Sequence, residues 1–261
     1  YSPGEGDDLS AYFLRPTPGA ARVALTPEWW SALDRISFSV CDDETRGSMC
    51  GVLWLGDGAL WSTDGRRISV VRPGESVPGP RGGVVVPSHL LSRLGGRRRD
   101  VVGACLEGDT TLWFFFADGS SVYGQLYADA FPDTASLLER VGASAGGGTS
   151  VTLREPDVGG IFGRLLGFTA GPTYPVRVDV GGDSVRFSVS GETGEAEETV
   201  PADVGGQPTT FSVNGRYFAE AVDARGDAEF WVTPQAGGAS SMVYLASADS
   251  SFEHAVALLR G

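Results

Sequence analysis

Residues 41–71 read CDDETRGSMCGVLWLGDGALWSTDGRRISVV. The spacing predicts three short strands, at residues 49–55, 59–63 and 67–71, joined by tight turns at Gly56-Asp57-Gly58 and Asp64-Gly65-Arg66. Glycine in each turn accepts the positive φ that hairpins need. The strand residues are Val, Leu, Trp and Ile, which suit a pleated, half-buried surface. Nothing in the stretch has catalytic spacing.

Working outward, residues 1–20 are rich in Pro, Gly and Asp and predict a loose arm, with a short strand at residues 11–14. Thr26-Pro27-Glu28 predicts a helix start, with a capping Thr, Pro at the first helical position and an acid in the first turn. The helix should run through Trp29, Leu33 and Ile36 to about Val40, and residues 72–81 should form a Pro/Gly-rich loop after the strands. The pattern then recurs. A strand at 83–86 leads into a helix opening at Pro87-Ser88-His89, followed by strands at 101–107, 111–116 and 121–126. Residues 142–149 (GASAGGGT) predict a flexible linker between one domain over 21–141 and another over 149–249.

The second half shows the same order twice more. A strand at 150–153 precedes a helix at 156–168, then strands at 176–180, 184–189 and 195–200. A strand at 209–213 precedes a helix opening at Asn214, then strands at 229–233 and 241–246. Residues 250–261 read as a short amphipathic tail helix. Helix starts at Pro27, Pro87, Pro156 and Asn214 recur at intervals of about 60 residues. The expected fold is α+β, with two tandem pseudo-symmetric domains, each of two helices backed by antiparallel sheets.

The 261 residues carry a formal charge of −13, and all 20 basic residues are arginine. That balance argues against nucleic-acid binding by the whole surface, but not by a local basic face. The three cysteines, Cys41, Cys50 and Cys105, have no CxxC spacing, which disfavours a disulfide framework or a zinc site and points to a reducing compartment. No apolar run is long enough for a membrane span, and residues 1–6 do not resemble a signal peptide. A cytoplasmic protein without membrane contact is expected. His89 and His254 have no carboxylate or cysteine at ligand spacing, and no GxSxG, Walker A or GxGxxG motif is present. No catalytic residue, metal or cofactor is expected.

Asp43-Glu44-Thr45-Arg46, then Gly51-Val52-Leu53, then Ser62-Thr63-Asp64-Gly65-Arg66-Arg67-Ile68 resembles the "DETR … NGVLL … ATDGHRLA" signature of the bacterial DNA sliding clamp, the beta subunit of DNA polymerase III. The signature belongs to that family's middle domain. Ala130-Phe131-Pro132-Asp133 is similar to the "FPD" that closes the same domain, and Asn214-Gly215-Arg216-Tyr217-Phe218 to the "FNVxYL" of the last one. The resemblance covers residues 21–246 and implies a DNA-clamp fold without a counterpart of the family's first domain. It implies a ring of six domains, which two domains per chain would close as a head-to-tail homotrimer.

The resemblance also implies where function lies. In a clamp the helices line the hole around double-stranded DNA, where arginines contact phosphates. The candidates are Arg35, Arg93, Arg97, Arg98, Arg99, Arg154, Arg164, Arg216 and Arg225. A hydrophobic groove would take short peptide motifs from the DNA polymerase and the clamp loader. Met49, Thr63, Gly65, Arg66, Arg67 and Ile68 would line one side, and Val176, Val243 and Leu245, the last two from the final strand, the other. Arg66 stands where the family has His, and Ala246-Ser247 where it has Pro and Met. The implied function is a non-enzymatic processivity factor. The alternative is a non-ring module of clamp descent that regulates or decoys replication proteins.

Overall fold

The computed structural model describes residues 16, 22–74, 77–80, 82–154, 158–169, 173–192, 194–225, 229–233 and 242–259. The expected strand at 11–14 and the helix start at Pro156 lie outside the described residues.

One element pattern occurs twice. In the first half β1 (Arg22–Ala24) and α1 (Pro27–Ile36) precede β2 (Gly51–Trp54), β3 (Leu60–Thr63) and β4 (Arg67–Val71). Then β5 (Val84–Pro87) and α2 (Ser88–Leu94) precede β6 (Val101–Glu107), β7 (Thr111–Phe116) and β8 (Ser121–Gln125). A helix that the spacing does not predict, α3 (Ala135–Ala145), leads to the second half. There β9 (Thr149–Leu153) and α4 (Val158–Leu166) precede β10 (Pro175–Gly181), β11 (Ser184–Gly191) and β12 (Gly194–Gly205). Finally β13 (Thr209–Asn214) and α5 (Gly215–Arg225) precede β14 (Glu229–Val232), β15 (Met242–Ala246) and β16 (Phe252–Ala257). The α+β expectation and its repeat therefore stand.

Local chemistry explains the boundaries. Thr26 Oγ1 accepts the Trp29 amide at 3.3 Å, capping α1 behind its N-terminal Pro27. Gly58 and Gly65 sit at φ 89° and 86° in the two turns, as hairpins require. Met49, expected in a strand, instead lies near the end of a 3-10 segment over Glu44–Cys50.

Each half has its own core. Trp29, Trp54, Leu60 and Phe114 centre the first, under α1 and α2. Phe162, Phe187, Phe218 and Phe230 centre the second, under α4 and α5. Burying each such aromatic contributes about 1.5–3 kcal/mol. All sheets are antiparallel. Strands β1-β6-β7-β8 form one, and a second runs β13-β10-β11-β12-β9-β14-β15-β16-β4-β3-β2-β5.

That larger sheet crosses from one half to the other where β16 pairs with β4, from Phe252↔Val71 to Val256↔Arg67. The tail is therefore a strand and not a helix. Its six-residue core alternates: Phe252 and Val256 join the first and second cores, while Ala255 lies on the opposite face beneath α3. A segment this short fits both periods, and the open edges of β15 and β4 decide for the extended form. The linker reading of 142–149 is corrected too. Gly142 to Ala145 is the last turn of α3, whose Leu138, Val141 and Ala145 pack on Met242, Tyr244, Trp61 and Val70 across the joint.

Polar groups pin the same joint. Buried Arg67 pairs with Asp64 at 2.9 Å and Glu220 at 2.5 Å, donates to the Phe38 carbonyl, and lies 3.8 Å over the Tyr217 ring. Arg35 donates to the Ala224 carbonyl at 2.6 Å, capping the C-terminus of α5 from α1. Wholly buried His254 shares a hydrogen bond of 2.8 Å with Ser69 Oγ, which meets Ser39 Oγ at 2.6 Å.

Removing Arg67 leaves the half-buried Asp64 without its cation and the Phe38 carbonyl without its donor, while Glu220 keeps Arg216, so Arg67→Ala should cost about 3 kcal/mol in urea unfolding. Burial, then the nearby Arg67 charge, pushes His254 down from 6.5 to about 3. The unfolded chain thus protonates this ring before the folded one does. Its contribution is fully present above pH 6.5 and is lost as pH falls toward 3, by about 1.4 kcal/mol per unit. His254→Asn should flatten the stability profile between pH 7 and 5; an unchanged slope would contradict this origin.

Candidate nucleic-acid interface and peptide groove

The nine candidate arginines divide by partner. Arg35 and Arg225 turn inward. Arg225 is buried and donates to the Ala246 carbonyl at 2.7 Å and to Glu229 Oε2 at 3.0 Å, tying α5 to the strands behind it. Arg35 belongs to the joint. Neither presents its charge to a duplex.

Five others are surface ion pairs. Arg97 meets Asp118 at 2.6 Å and covers the Phe116 ring; Arg98 meets Asp34 of α1 and covers Trp30. Arg154 at the end of β9 pairs with Asp203 of β12. Arg164 of α4 holds Glu198 of β12 through two bonds, of 2.5 and 3.0 Å. Arg216 meets Glu220 at 3.0 Å one helical turn on. Three of the acids are held in the charged form. The Arg164 bond holds Glu198 low, and Arg154 does the same for Asp203. Asp118 is held low first by Ser120 and then by Arg97. Arg93 and Arg99 are exposed, and their side chains make no hydrogen bond or ion pair among the described residues. The structure gathers Arg93 and Arg97 to Arg99 at the end of α2 and leaves Arg154, Arg164 and Arg216 apart. The exposed side of α1 carries Glu28 and Asp34, so the helical face is mixed in charge.

The groove residues also divide. Gly65 and Arg66 are exposed in the β3–β4 turn and Met49 is half-buried beside it, its Sδ 3.9 Å from Arg46 Nη2. Thr63, Arg67 and Ile68 lie just beneath; Thr63 Oγ1 donates to the Arg67 carbonyl at 2.7 Å. Val176, Val243 and Leu245 have no exposure and belong to the second core. Nor is β15 the final strand, as expected; Ala246 and Ser247 lead into its hairpin with β16. The chain beside the turn is β16 together with the residues after it. The Ala257 amide donates to the Arg66 carbonyl at 2.9 Å and the Leu259 amide to Ser212 at 2.8 Å. Half-buried Leu258 and Leu259 thus run between the turn and β13, with half-buried Tyr217 against Arg67. Leu258 and Leu259 are missing from the sequence-based candidates because a helical tail hides them, although two leucines after an alternating run are a strand-end signal. Two hollows, of 470 Å³ around Arg177, Asp179 and Arg186 and of 250 Å³ around Trp54, Pro80 and Leu112, hold none of the groove residues.

Ser69 and His254 have the spacing of a nucleophile and its base, but both are wholly buried, so no substrate reaches them. Among the described residues no three His, Cys, Asp or Glu side chains are grouped to hold a metal ion, and no helix is long and apolar enough to cross a membrane.

No protein-family profile and no curated protein matches the chain. Solved structures do. A protein described as a DNA polymerase III beta subunit from Eubacterium rectale superposes with TM-score 0.80 at 16% identity, over 98% of this chain and 70% of that one. The DNA polymerase sliding clamp of Bacillus subtilis gives 0.79 at 20%, over 97% and 68%. The beta sliding clamp of C. crescentus gives 0.78 at 20%, over 97% and 69%. The fold is therefore the sliding-clamp fold, and the chain spans about 70% of the length of these structures.

The division of the arginines has a measurable consequence. Arg225→Ala should lower stability by about 3 kcal/mol, because it removes a buried side chain that donates to the Ala246 and Glu229 carbonyls. Arg164→Ala should leave the urea midpoint where it is, since that pair is exposed. Equal losses would contradict the inward and outward assignment.

Proposed function

We propose that the chain closes as a head-to-tail homotrimer around duplex DNA and tethers replication proteins, without doing chemistry. The observation that carries this reading is the joint inside the chain. There the last strand of the second half, β16, pairs with β4, the last strand of the first trio. The repeat supplies one more strand of each kind: β8 corresponds to β16, and β12 to β4. Among the described residues β8 pairs only with β7, and residues 194–201 of β12 pair only with β11. Two open edges of matching kind, one in each half, fit a second joint made between copies. Charge agrees, since the β12 edge carries Glu195, Glu197 and Glu198 while α2, packed on β8, carries the exposed Arg93. Two units per copy and six per ring then require three copies.

The helices would face the duplex. Exposed ion pairs are worth about 0–1 kcal/mol, so Arg97, Arg98, Arg164 and Arg216 can exchange a carboxylate for a phosphate, and Arg93 and Arg99 need no exchange. Such weak, non-specific contacts suit a ring that slides. Partner peptides from a polymerase and a loader would dock between the Gly65-Arg66 turn with Met49 and the Leu258-Leu259 segment, where apolar walls stand beside polar groups that set register. A cytoplasmic site of action goes with this reading.

The pairing of most surface arginines with nearby acids favours the second reading, a non-ring module that binds replication proteins and leaves DNA alone. Mass decides. Sedimentation at micromolar concentration should give three times the 27.3 kDa of one chain, and Arg93→Glu should shift it toward monomer. The trimer should stay on nicked circular DNA and run off the same DNA once linearised, whereas a persistent monomer would support the module.

A further inference from the structure

Cys41 and Cys50 stand at the two ends of a surface loop whose residues 42–46 are all exposed. The chain entering the loop runs beside the chain leaving it, since the Cys41 amide donates to the Met49 carbonyl at 3.0 Å. Both thiols converge on one acceptor. Cys50 Sγ donates to the Asp43 carbonyl at 3.0 Å, and Cys41 Sγ reaches the same oxygen at 4.0 Å. Burial first, and then the neighbouring Cys41 sulfur, push the Cys50 thiol up. Both are free thiols, 8% and 3% exposed, whereas Cys105 lies on another sheet beside Trp113 and Phe115.

The loop between them is already held in the closed shape. Asp43 Oδ1 accepts from the Thr45 amide and hydroxyl at 3.1 and 2.6 Å, and Ser48 Oγ donates to the Ala130 carbonyl at 3.0 Å. Gly47, at φ 54°, turns the chain between these anchors. Ser88 Oγ donates to the Cys50 carbonyl at 2.7 Å and fixes the exit. Two sulfurs that converge on one acceptor, at the ends of a loop whose chains run side by side, are placed as neighbours.

We propose that Cys41 and Cys50 form a dithiol site that a small-molecule disulfide, such as oxidised glutathione, converts to an intramolecular disulfide bracketing residues 42–49. Cys41, the more exposed, attacks as thiolate and breaks the S–S bond of the reagent, releasing one thiol. Cys50 then attacks the sulfur of Cys41 in the mixed disulfide and releases the second. One protein S–S bond forms, one reagent S–S bond breaks, and the two thiol protons leave on the released thiols. Reductant reverses the change, which suits a compartment that holds most thiols reduced. The consequence is local: the loop that places Arg46 and Met49 beside the Gly65 turn loses its freedom to open.

The test uses the full chain in a series of reduced and oxidised glutathione mixtures, quenched in acid, alkylated under denaturing conditions and digested with trypsin. A linked pair of peptides, residues 36–46 and 47–66, should appear with rising oxidant and vanish on reduction, while alkylatable thiols fall from three to one. Phenylarsine oxide, which bridges only neighbouring thiols, should protect the same two cysteines from alkylation. In Cys41→Ser and Cys50→Ser the link should disappear and a glutathione adduct should remain on the surviving partner. Three free thiols at every ratio, or a link through Cys105 or between chains, would overturn the proposal. The wild-type map decides this even where a serine variant does not fold.

Discussion

The molecule depends on one run of backbone hydrogen bonds, the pairing of β16 with β4. It turns two separate cores into a continuous sheet and carries the chain's end back onto its first half. Every device around it serves this edge. Arg67 sits under the last rung, His254 and Ser69 face each other in its middle, and α3 seals its outer face. A buried arginine with two carboxylates and an aromatic face costs desolvation, and its partners offset that cost only in one register. The joint is therefore specific as well as stable. A slip by one residue would turn His254 out of its polar partnership and Phe252 out of the first core.

Charge is arranged on a different principle at the surface. In a chain with 33 acids and 20 arginines, exposed guanidinium groups such as those of Arg97, Arg154 and Arg164 find a carboxylate in a neighbouring element. Such pairs hold little energy, so they dispose charge without locking it. The interior arginines do the reverse. Arg35 and Arg225 satisfy carbonyls at helix and strand ends, where an always-charged planar donor suits several acceptors at once. The same residue type thus carries structure in one place and an adaptable surface in another.

The likeness to solved sliding clamps, at 16–20% identity for those compared, establishes the fold and nothing finer. The proposed function rests on this chain's own pair of strand edges left open among the described residues and its own turn at Gly65 and Arg66. The turn stays at the surface because Thr63 and Asp64 satisfy the amides of Gly65, Arg66 and Arg67 within the turn, leaving the Arg66 side chain free for solvent.

Much of the architecture was legible in the residues. The turns at Gly58 and Gly65, the cap at Thr26 and the alternation of Leu112, Phe114 and Phe116 are local signals, and local physics realises them. The recurrence of strand, helix and strand trio rests on these signals alone, and with it the fold class. The helix at α3 had its signal in Leu138 and Val141, but the glycines after it read as a tether. The final strand, the inward course of Arg35 and Arg225, and the burial of Val176, Val243 and Leu245 were decided only by tertiary structure. Six residues such as Phe252–Ala257 satisfy either period, and an arginine on a helix has the same letters whether it meets water or a carbonyl. What separates these cases is a partner distant in sequence, the open edge of β4 or the end of α5, whose position no local pattern encodes.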